Sequence, residues 1–124
     1  MDEHKELDDL ARPLAARVKR AGLRSLSEPE RVAYLVWAFA HELDNGGPDT
    51  FFYNDSGRFA EQTVDALHSI AARALAEALE DAARDLEDQL DALREAYEER
   101  GPDRVRKATL RFYQAQTGAT PTEE

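Results

Sequence analysis

The chain has 124 residues, a length that suits one globular domain with a core of its own. Hydrophobic residues make up 42% of the chain and charged residues 34%, and this balance excludes a wholly disordered or fibrous protein. The absence of cysteine excludes disulfides, thiol nucleophiles and thiolate zinc sites. A formal net charge of −10 argues against direct binding to nucleic acid or to an anionic membrane.

Membrane insertion and secretion are also not expected. No apolar run approaches the roughly 20 residues that span a bilayer. The first residues, Met1 to Glu6, lack the basic and apolar regions of a signal peptide. We therefore expect a cytoplasmic protein that does not contact a membrane.

A first helix is predicted in the N-terminal segment. Apolar residues recur every three to four positions from Leu7 to Ala21, and Gly22 is placed to end the helix. Pro13 is expected either in a first turn of this segment or at a break that splits it.

A central helix over 28–44 is predicted next. Ser27 and Glu30 have the spacing of a capping box, and Pro29 fits a first helical turn. One side of the helix carries an apolar row, and the opposite side carries a second row that consists of Tyr34, Trp37 and His41. A helix that is apolar nearly all round is typical of the middle of a fold; the alternative is an aromatic pocket or partner groove.

The central helix is predicted to end in a Gly-Gly loop. Gly46 and Gly47 permit positive φ, and Pro48 does not continue the helical hydrogen-bond ladder. The three aromatic residues of Phe51–Tyr53 predict a short turn that plugs the core, in which the amide of Asn54 satisfies loop backbone groups.

Two segments after this loop have helical periodicity. The apolar spacing from Phe59 to Ile70 predicts one helix, with Asp55 or Ser56 as its N-cap. From Leu75 to Tyr97 the apolar residues again recur every three to four positions, and this stretch forms either one long helix or two.

The last helix completes an all-α prediction. It runs from about Asp103 to Gly118, and residues 119–124 are expected to form a flexible tail. The predicted architecture is a single compact all-α domain over 1–118 with about five to six helices, the central helix over 28–44 and the Gly-Gly loop.

An acidic segment supplies most of the excess charge, because residues 77–99 hold ten acids against two arginines. On a single helix of about 34 Å these acids give roughly one carboxylate per 3.4 Å, similar to one strand of DNA. Most of them point away from the leucine row. This arrangement predicts a partner-binding face that imitates a phosphate backbone, formed by Glu77, Asp81, Asp85, Asp88, Asp91 and Glu95. The alternative is the ordinary solvated face of an amphipathic helix.

The residue sets of common catalytic and metal sites are incomplete in this sequence. His41 starts a zincin-like motif, but Asn45 stands where the second histidine ligand belongs. The stretch after Asp44 fails as a calcium loop because Gly46 and Pro48 occupy ligand positions. A nucleophile elbow is also missing. We therefore expect no enzyme, no metal and no cofactor.

Several motifs resemble those of a known bacterial family. They are LSEPERV at 26–32, ELDNGG at 42–47, FFYNDSG at 51–57, AL at 66–67 and IAA at 70–72. Over about 26–86 the chain resembles a DNA-mimic-protein-like family of domains of unknown function, related to a DNA-mimic protein from Neisseria. The specific part is Asn-Gly-Gly followed by an aromatic pair, Asn and Gly.

The resemblance implies an all-helical domain without catalytic residues. For the characterised relative it implies a dimeric acidic protein that occupies the DNA-binding surface of a transcription factor. The motif residues look architectural, and a small pocket at the same place is the alternative. These structural or ligand-binding positions are Asn45, Gly46, Gly47, Phe51, Phe52, Asn54, Gly57 and Trp37.

Two functions from different classes follow from this sequence. The favoured one is a non-enzymatic acidic interaction domain, a DNA mimic that binds and inhibits a DNA-binding protein. Its partner is a basic protein and not nucleic acid, and the chain acts as a monomer or a homodimer. The alternative is a small-ligand or peptide-binding domain that uses the aromatic loop and the central helix.

Overall fold

Seven α-helices form most of the structure over residues 2–53, 55–84 and 86–118, which a computed structural model describes; the side chains of 55, 56 and 86–91 lie outside that description. The regular structure in these ranges is all helical, as predicted. The helices are α1 (Glu3–Ala21), α2 (Glu28–Asn45), α3 (Pro48–Tyr53), α4 (Ala60–Ser69), α5 (Arg73–Arg84), α6 (Leu86–Arg100) and α7 (Pro102–Thr117). Short 3-10 turns at Leu23–Ser25 and Asp55–Phe59 complete the order.

The helix α1 begins earlier than the periodicity indicates and continues through Pro13. The Asp2 carboxylate caps it by accepting from the backbone N–H groups of His4 and Lys5 at 3.1 and 3.2 Å. Pro13 lies inside the helix, so both expectations for it are wrong. Proline has no backbone N–H, so the carbonyl four residues before it receives no helical hydrogen bond. The ring of Pro13 is exposed, and this carbonyl therefore lies on the solvent side of the helix. Gly22 ends α1 as predicted, with φ of +87°.

The capping box that predicts α2 is present in full. The Ser27 hydroxyl accepts from the Glu30 N–H at 3.3 Å, and the Glu30 carboxylate accepts from the Ser27 N–H at 2.9 Å. The Ser27 N–H, followed by Arg17, lowers the pKa of the Glu30 carboxyl against the opposing effect of its partial burial. The helix packs against α1, α3, α4 and α7, which confirms its central position.

The predicted N-cap of α4 is wrong. Asp55 and Ser56 belong to a 3-10 turn, and Phe59 occupies the N-cap position without a side-chain hydrogen bond. Asp55 and Ser56 are part of the 3-10 turn and therefore do not cap α4, which begins at Ala60.

The stretch from Leu75 to Tyr97 is divided between two helices. The helix α5 ends at Arg84, α6 begins at Leu86, and the two pack against each other. The division is one of the two predicted alternatives, so the separate helix α3 is what takes the described helices beyond the five to six predicted. The end of α7 at Gly118 agrees with prediction, whereas the predicted tail over 119–124 lies outside the described residues.

The main core lies between α2 and helices α4 to α7. Phe39 and Phe51 are its largest fully buried side chains, and leucines of α4, α5 and α6 surround them. A smaller cluster joins α1 to the start of α2 through Leu14, Val18 and Ala33. Burial of these apolar side chains is the main term that holds the helices together.

Candidate protein-interaction surface

The helix α5 separates its core residues from its acids. Leu75 and Leu79 are buried, whereas Glu77 and Glu80 are exposed. The side chain of Asp81 is half exposed and accepts a hydrogen bond from Arg84, one helical turn further on. Two of the α5 acids therefore face solvent, and a third is paired with an arginine.

The same division continues on α6. Leu93 and Tyr97 are buried, and the exposed acids of its C-terminal half are Glu95, Glu98 and Glu99. The backbone places the predicted residues Asp88 and Asp91 on this helix, although their side chains lie outside the description. Asp85 falls outside the described residues altogether.

The single row of carboxylates expected along one helix does not form, because the chain changes direction between α5 and α6. Helical-wheel angles at 100° per residue therefore relate side chains within α5 or within α6, but they do not relate a residue of α5 to a residue of α6. The predicted residues are divided, with Glu77 and Asp81 on α5 and Asp88, Asp91 and Glu95 on α6. The acidic surface is thus carried by a pair of packed helices.

The exposed acids on this helix pair are poorly neutralised. Among the residues whose side chains are described, Glu77, Glu80 and Glu95 form no ion pair. Of the two arginines within 77–99, Arg84 contacts Asp81 and Arg94 places its guanidinium against the backbone of the Gly-Gly loop. A strong negative potential at this surface follows.

Glu80 was not among the residues singled out from the sequence. Its exposure adds a carboxylate next to Glu77 on α5. The sequence predicts this exposure, because Glu80 lies about 60° from Glu77 on a helical wheel and well away from the leucine row.

The Gly-Gly loop is shaped by close contacts. Gly47 has φ of +89°, and a Cβ there would lie 2.5 Å from Nη2 of Arg94. At Gly57 a Cβ would lie 2.6 Å from the carbonyl oxygen of Phe51. The Asn45 amide donates to the carbonyl of His41 at 2.8 Å and so satisfies a group in the last turn of α2.

The aromatic residues after this loop differ in burial. Phe51 is fully buried and makes edge-to-face contacts with Phe39 at 5.3 Å and with Phe52 at 5.1 Å between ring centroids. Phe52 is half-buried, whereas Tyr53 is 88% exposed. The segment does insert into the core, but as the helix α3 and not as a turn. The predicted loop residue Asn54 lies outside the described residues.

The second aromatic row of α2 packs beside α1. The indole Nε1 of Trp37 donates to Asp8 of α1 at 2.7 Å, and the indole stacks on His41 with ring centroids 5.6 Å apart. Tyr34 lies against Trp37 at 6.4 Å between ring centroids. These contacts give Trp37 a structural role between helices.

A polar cluster that the sequence did not indicate joins α2, α6 and α7. The Tyr97 hydroxyl donates to Asp44 at 2.7 Å, and Arg106 donates to the other carboxylate oxygen. Burial, and then the hydrogen bond to Asp44, raises the pKa of the Tyr97 phenol. The side chain of Arg106 is 5% exposed, so Asp44 is the counter-charge of a buried cation.

Two grooves lie at the surface of the described part of the chain. One of about 430 Å³ runs between α2 and α4, and one of about 490 Å³ lies beside α7. Within the described residues, no group of three or more acidic or histidine side chains is arranged to hold a metal ion. Over the same ranges, no helix is both long and apolar enough to cross a membrane.

The fold and this surface define an acidic all-α protein with unneutralised carboxylates on two packed helices, α5 and α6. The chain belongs to the DMP19-like protein family, whose signature matches residues 24–120. The family takes its name from DNA mimic protein 19, in agreement with the resemblance seen in the sequence motifs. No curated protein and no solved structure matches the chain.

Proposed function

We propose that this protein is a DNA mimic that binds the DNA-binding surface of a basic protein through the carboxylates of α5 and α6. The observation that carries the proposal is the set of exposed acids on this helix pair that lack a cationic partner among the described side chains. Membership of the DMP19-like family supports the same function. Binding of this kind needs no catalytic residue.

The division of the acids between two helices suits this proposal. The axes of packed helices lie about 8–10 Å apart, so the acids of α5 and those of α6 form two separate rows. Two phosphate rows border the DNA major groove, which is about 12 Å wide. The DNA-binding surface of the partner contacts phosphates on both sides of a groove, and it would contact two rows of carboxylates on this protein in the same way. Such association is fast and weakens with added salt.

The aromatic loop and the central helix have a structural explanation instead. Phe51 fills the core, and the Trp37 indole N–H is satisfied by Asp8. We therefore infer that the family motif helps to position α6, because Arg94 of that helix lies against Gly47.

The experiment identifies the partner and then measures the contribution of the acids. The tagged protein is incubated with a nuclease-treated lysate of the cells that encode it, and retained proteins are eluted with rising salt. We expect a DNA-binding protein that duplex DNA displaces. Failure to retain any DNA-binding protein would discard the proposal.

Charge reversal then tests the surface with the purified partner. The triple variant Glu77→Lys, Glu80→Lys and Glu95→Lys is expected to weaken binding by about 100-fold, as measured by biolayer interferometry. The matched control reverses three exposed acids elsewhere, Glu28→Lys, Asp49→Lys and Asp65→Lys, and produces the same change in net charge. Equal loss in both variants would contradict a defined binding face. Circular dichroism confirms that both variants remain helical.

A further inference from the structure

We propose that a basic groove beside α7 binds a short acidic peptide segment of a partner protein. The groove has a volume of about 490 Å³, within the range of roughly 300–1,000 Å³ of ligand pockets. It uses the opposite charge from the α5 and α6 surface and so goes beyond the proposed function. Its main lining residues are Arg100, Arg104, Lys107, Arg111, Ile70 and Phe112.

The positive charge of the groove follows from helical spacing. Arg104, Lys107 and Arg111 are three and four residues apart on α7, so they project from one side of the helix, and all three are exposed. Arg100 at the end of α6 adds a fourth cation. The segment 100–113 carries five basic residues against one acid, in a chain whose net charge is −10.

These cations are available to a ligand. None of the four forms an ion pair or a hydrogen bond with another described side chain. Nε of Arg100 is buried and has no acceptor in the described part of the chain.

The shape and surroundings of the groove favour a peptide over nucleic acid. Ile70 and Phe112 contribute apolar surface to its floor, which suits an apolar side chain between two carboxylates. Arg100 ends the helix that exposes Glu98 and Glu99, so a long polyanion that left the groove along α6 would meet like charges. A short acidic segment of a folded partner avoids this repulsion.

The test uses the full chain and a fluorescent peptide of glutamate pairs alternating with leucines. We expect saturable binding by fluorescence anisotropy, and no binding of the matched peptide in which glutamine replaces glutamate. The double variant Arg104→Glu and Lys107→Glu is expected to weaken binding by at least ~10-fold, whereas the corresponding glutamine variant weakens it less. All of these substitutions are at exposed positions, and thermal melts confirm that each variant folds.

The matched control separates the groove from the overall field of the protein. Lys19→Glu with Arg20→Glu makes the same change in net charge at exposed positions on α1. If it weakens peptide binding as much as the groove variant does, the proposal is overturned. Absence of binding by the peptide, or equal binding of the glutamine peptide, also overturns it.

Further arms distinguish the other occupants. Tighter binding of a single-stranded oligonucleotide of the same charge would show a nucleic-acid site and overturn the proposal. A change from dimer to monomer in the groove variant, seen by analytical ultracentrifugation, would show that a second copy occupies the groove. The Glu77, Glu80 and Glu95 triple variant is expected to bind the peptide normally, so failure of one proposal leaves the other testable.

Discussion

Asp44 accepts hydrogen bonds from Tyr97 and Arg106, which lie 53 and 62 residues further along the chain. Its side chain is 32% exposed, whereas that of Arg106 is 5% exposed. The carboxylate therefore keeps one edge in water while it neutralises a buried guanidinium. This arrangement reduces the desolvation cost of the pair, because only one of the two ions is fully removed from solvent.

Asp44→Ala is predicted to destabilise the protein. Removal of an acid from the last turn of α2 is favourable by about 0.5 kcal/mol, but an unpaired buried cation costs about 3 kcal/mol. We expect a net loss of roughly 2–3 kcal/mol in the free energy of unfolding, measured by urea denaturation.

The control for this prediction is Asp65→Ala, at an exposed position of α4, which we expect to change stability by less than about 0.5 kcal/mol. The double variant Asp44→Ala and Arg106→Met is expected to recover part of the loss, because it also removes the unpaired charge. A double variant less stable than Asp44→Ala alone would contradict this explanation.

Tyr97 gives a prediction for alkaline pH. Burial and donation to Asp44 raise the pKa of its phenol above the ordinary value of about 10. The unfolded chain therefore loses this proton first, so the stability contributed by Tyr97 is fully present below about pH 10 and is lost as pH rises beyond it.

Tyr97→Phe removes this titration. We expect the variant to be less stable by about 1 kcal/mol at neutral pH, because a buried hydrogen bond is lost. Between about pH 10 and pH 11 its stability is expected to fall less steeply than that of the unchanged chain, by up to about 1.4 kcal/mol per pH unit. Parallel curves over this range would show that Tyr97 does not ionise on unfolding.

At the scale of elements, the short helix α3 and the following 3-10 turn depend on a close backbone approach. A Cβ at Gly57 would lie 2.6 Å from the Phe51 carbonyl oxygen and 2.9 Å from Cα of Phe52. Both are backbone atoms and cannot move aside as a flexible side chain can. This position therefore requires glycine for steric reasons.

Gly57→Ala is predicted to destabilise the fold by about 2 kcal/mol through this clash, as measured by urea denaturation. Gly118→Ala is the control, because Gly118, the C-cap of α7, has open space around its Cβ position. Its strain from φ of +73° is expected to cost about 1 kcal/mol. A Gly57→Ala variant as stable as the unchanged chain would show that the loop can adjust its backbone.

The division between α5 and α6 is the element that most affects the candidate site. The leucine spacing is the same in one long helix and in two shorter helices, because each arrangement buries the same apolar residues in each helical turn. The choice depends on contacts that α5 and α6 make with each other and with α2 and α4, and such contacts have no local sequence signal.

At the scale of the whole molecule, charge is segregated along the chain and in space. The ten acids of residues 77–99 belong mainly to α5 and α6, and the basic segment 100–113 lies mainly on α7. Four of these cations line one groove, whereas Arg106 points to Asp44. The two binding tests therefore use ligands of opposite charge, since a basic partner is expected at the α5 and α6 surface and an acidic peptide at the groove beside α7.

Much of the candidate site could be predicted at the level of residue type. Glu77 and Glu95 are exposed as their spacing from the leucine row indicates, and the Ser27 capping box forms as its sequence indicates. The binding role of these acids remains a prediction. The single row of carboxylates did not form, because α5 and α6 are separate helices that pack against each other.

By itself, the sequence determined the all-α class, the start of α2, the ends at Gly22 and Gly118, and the acidic character of α5 and α6. These properties depend on neighbours within one helical turn, such as caps, glycine conformations and apolar spacing. Only the tertiary structure decided that α5 and α6 form a pair, that Trp37 binds Asp8, and that Asp44 neutralises Arg106. Those outcomes depend on packing between residues far apart in the chain, where many pairings satisfy the same local pattern and burial selects among them.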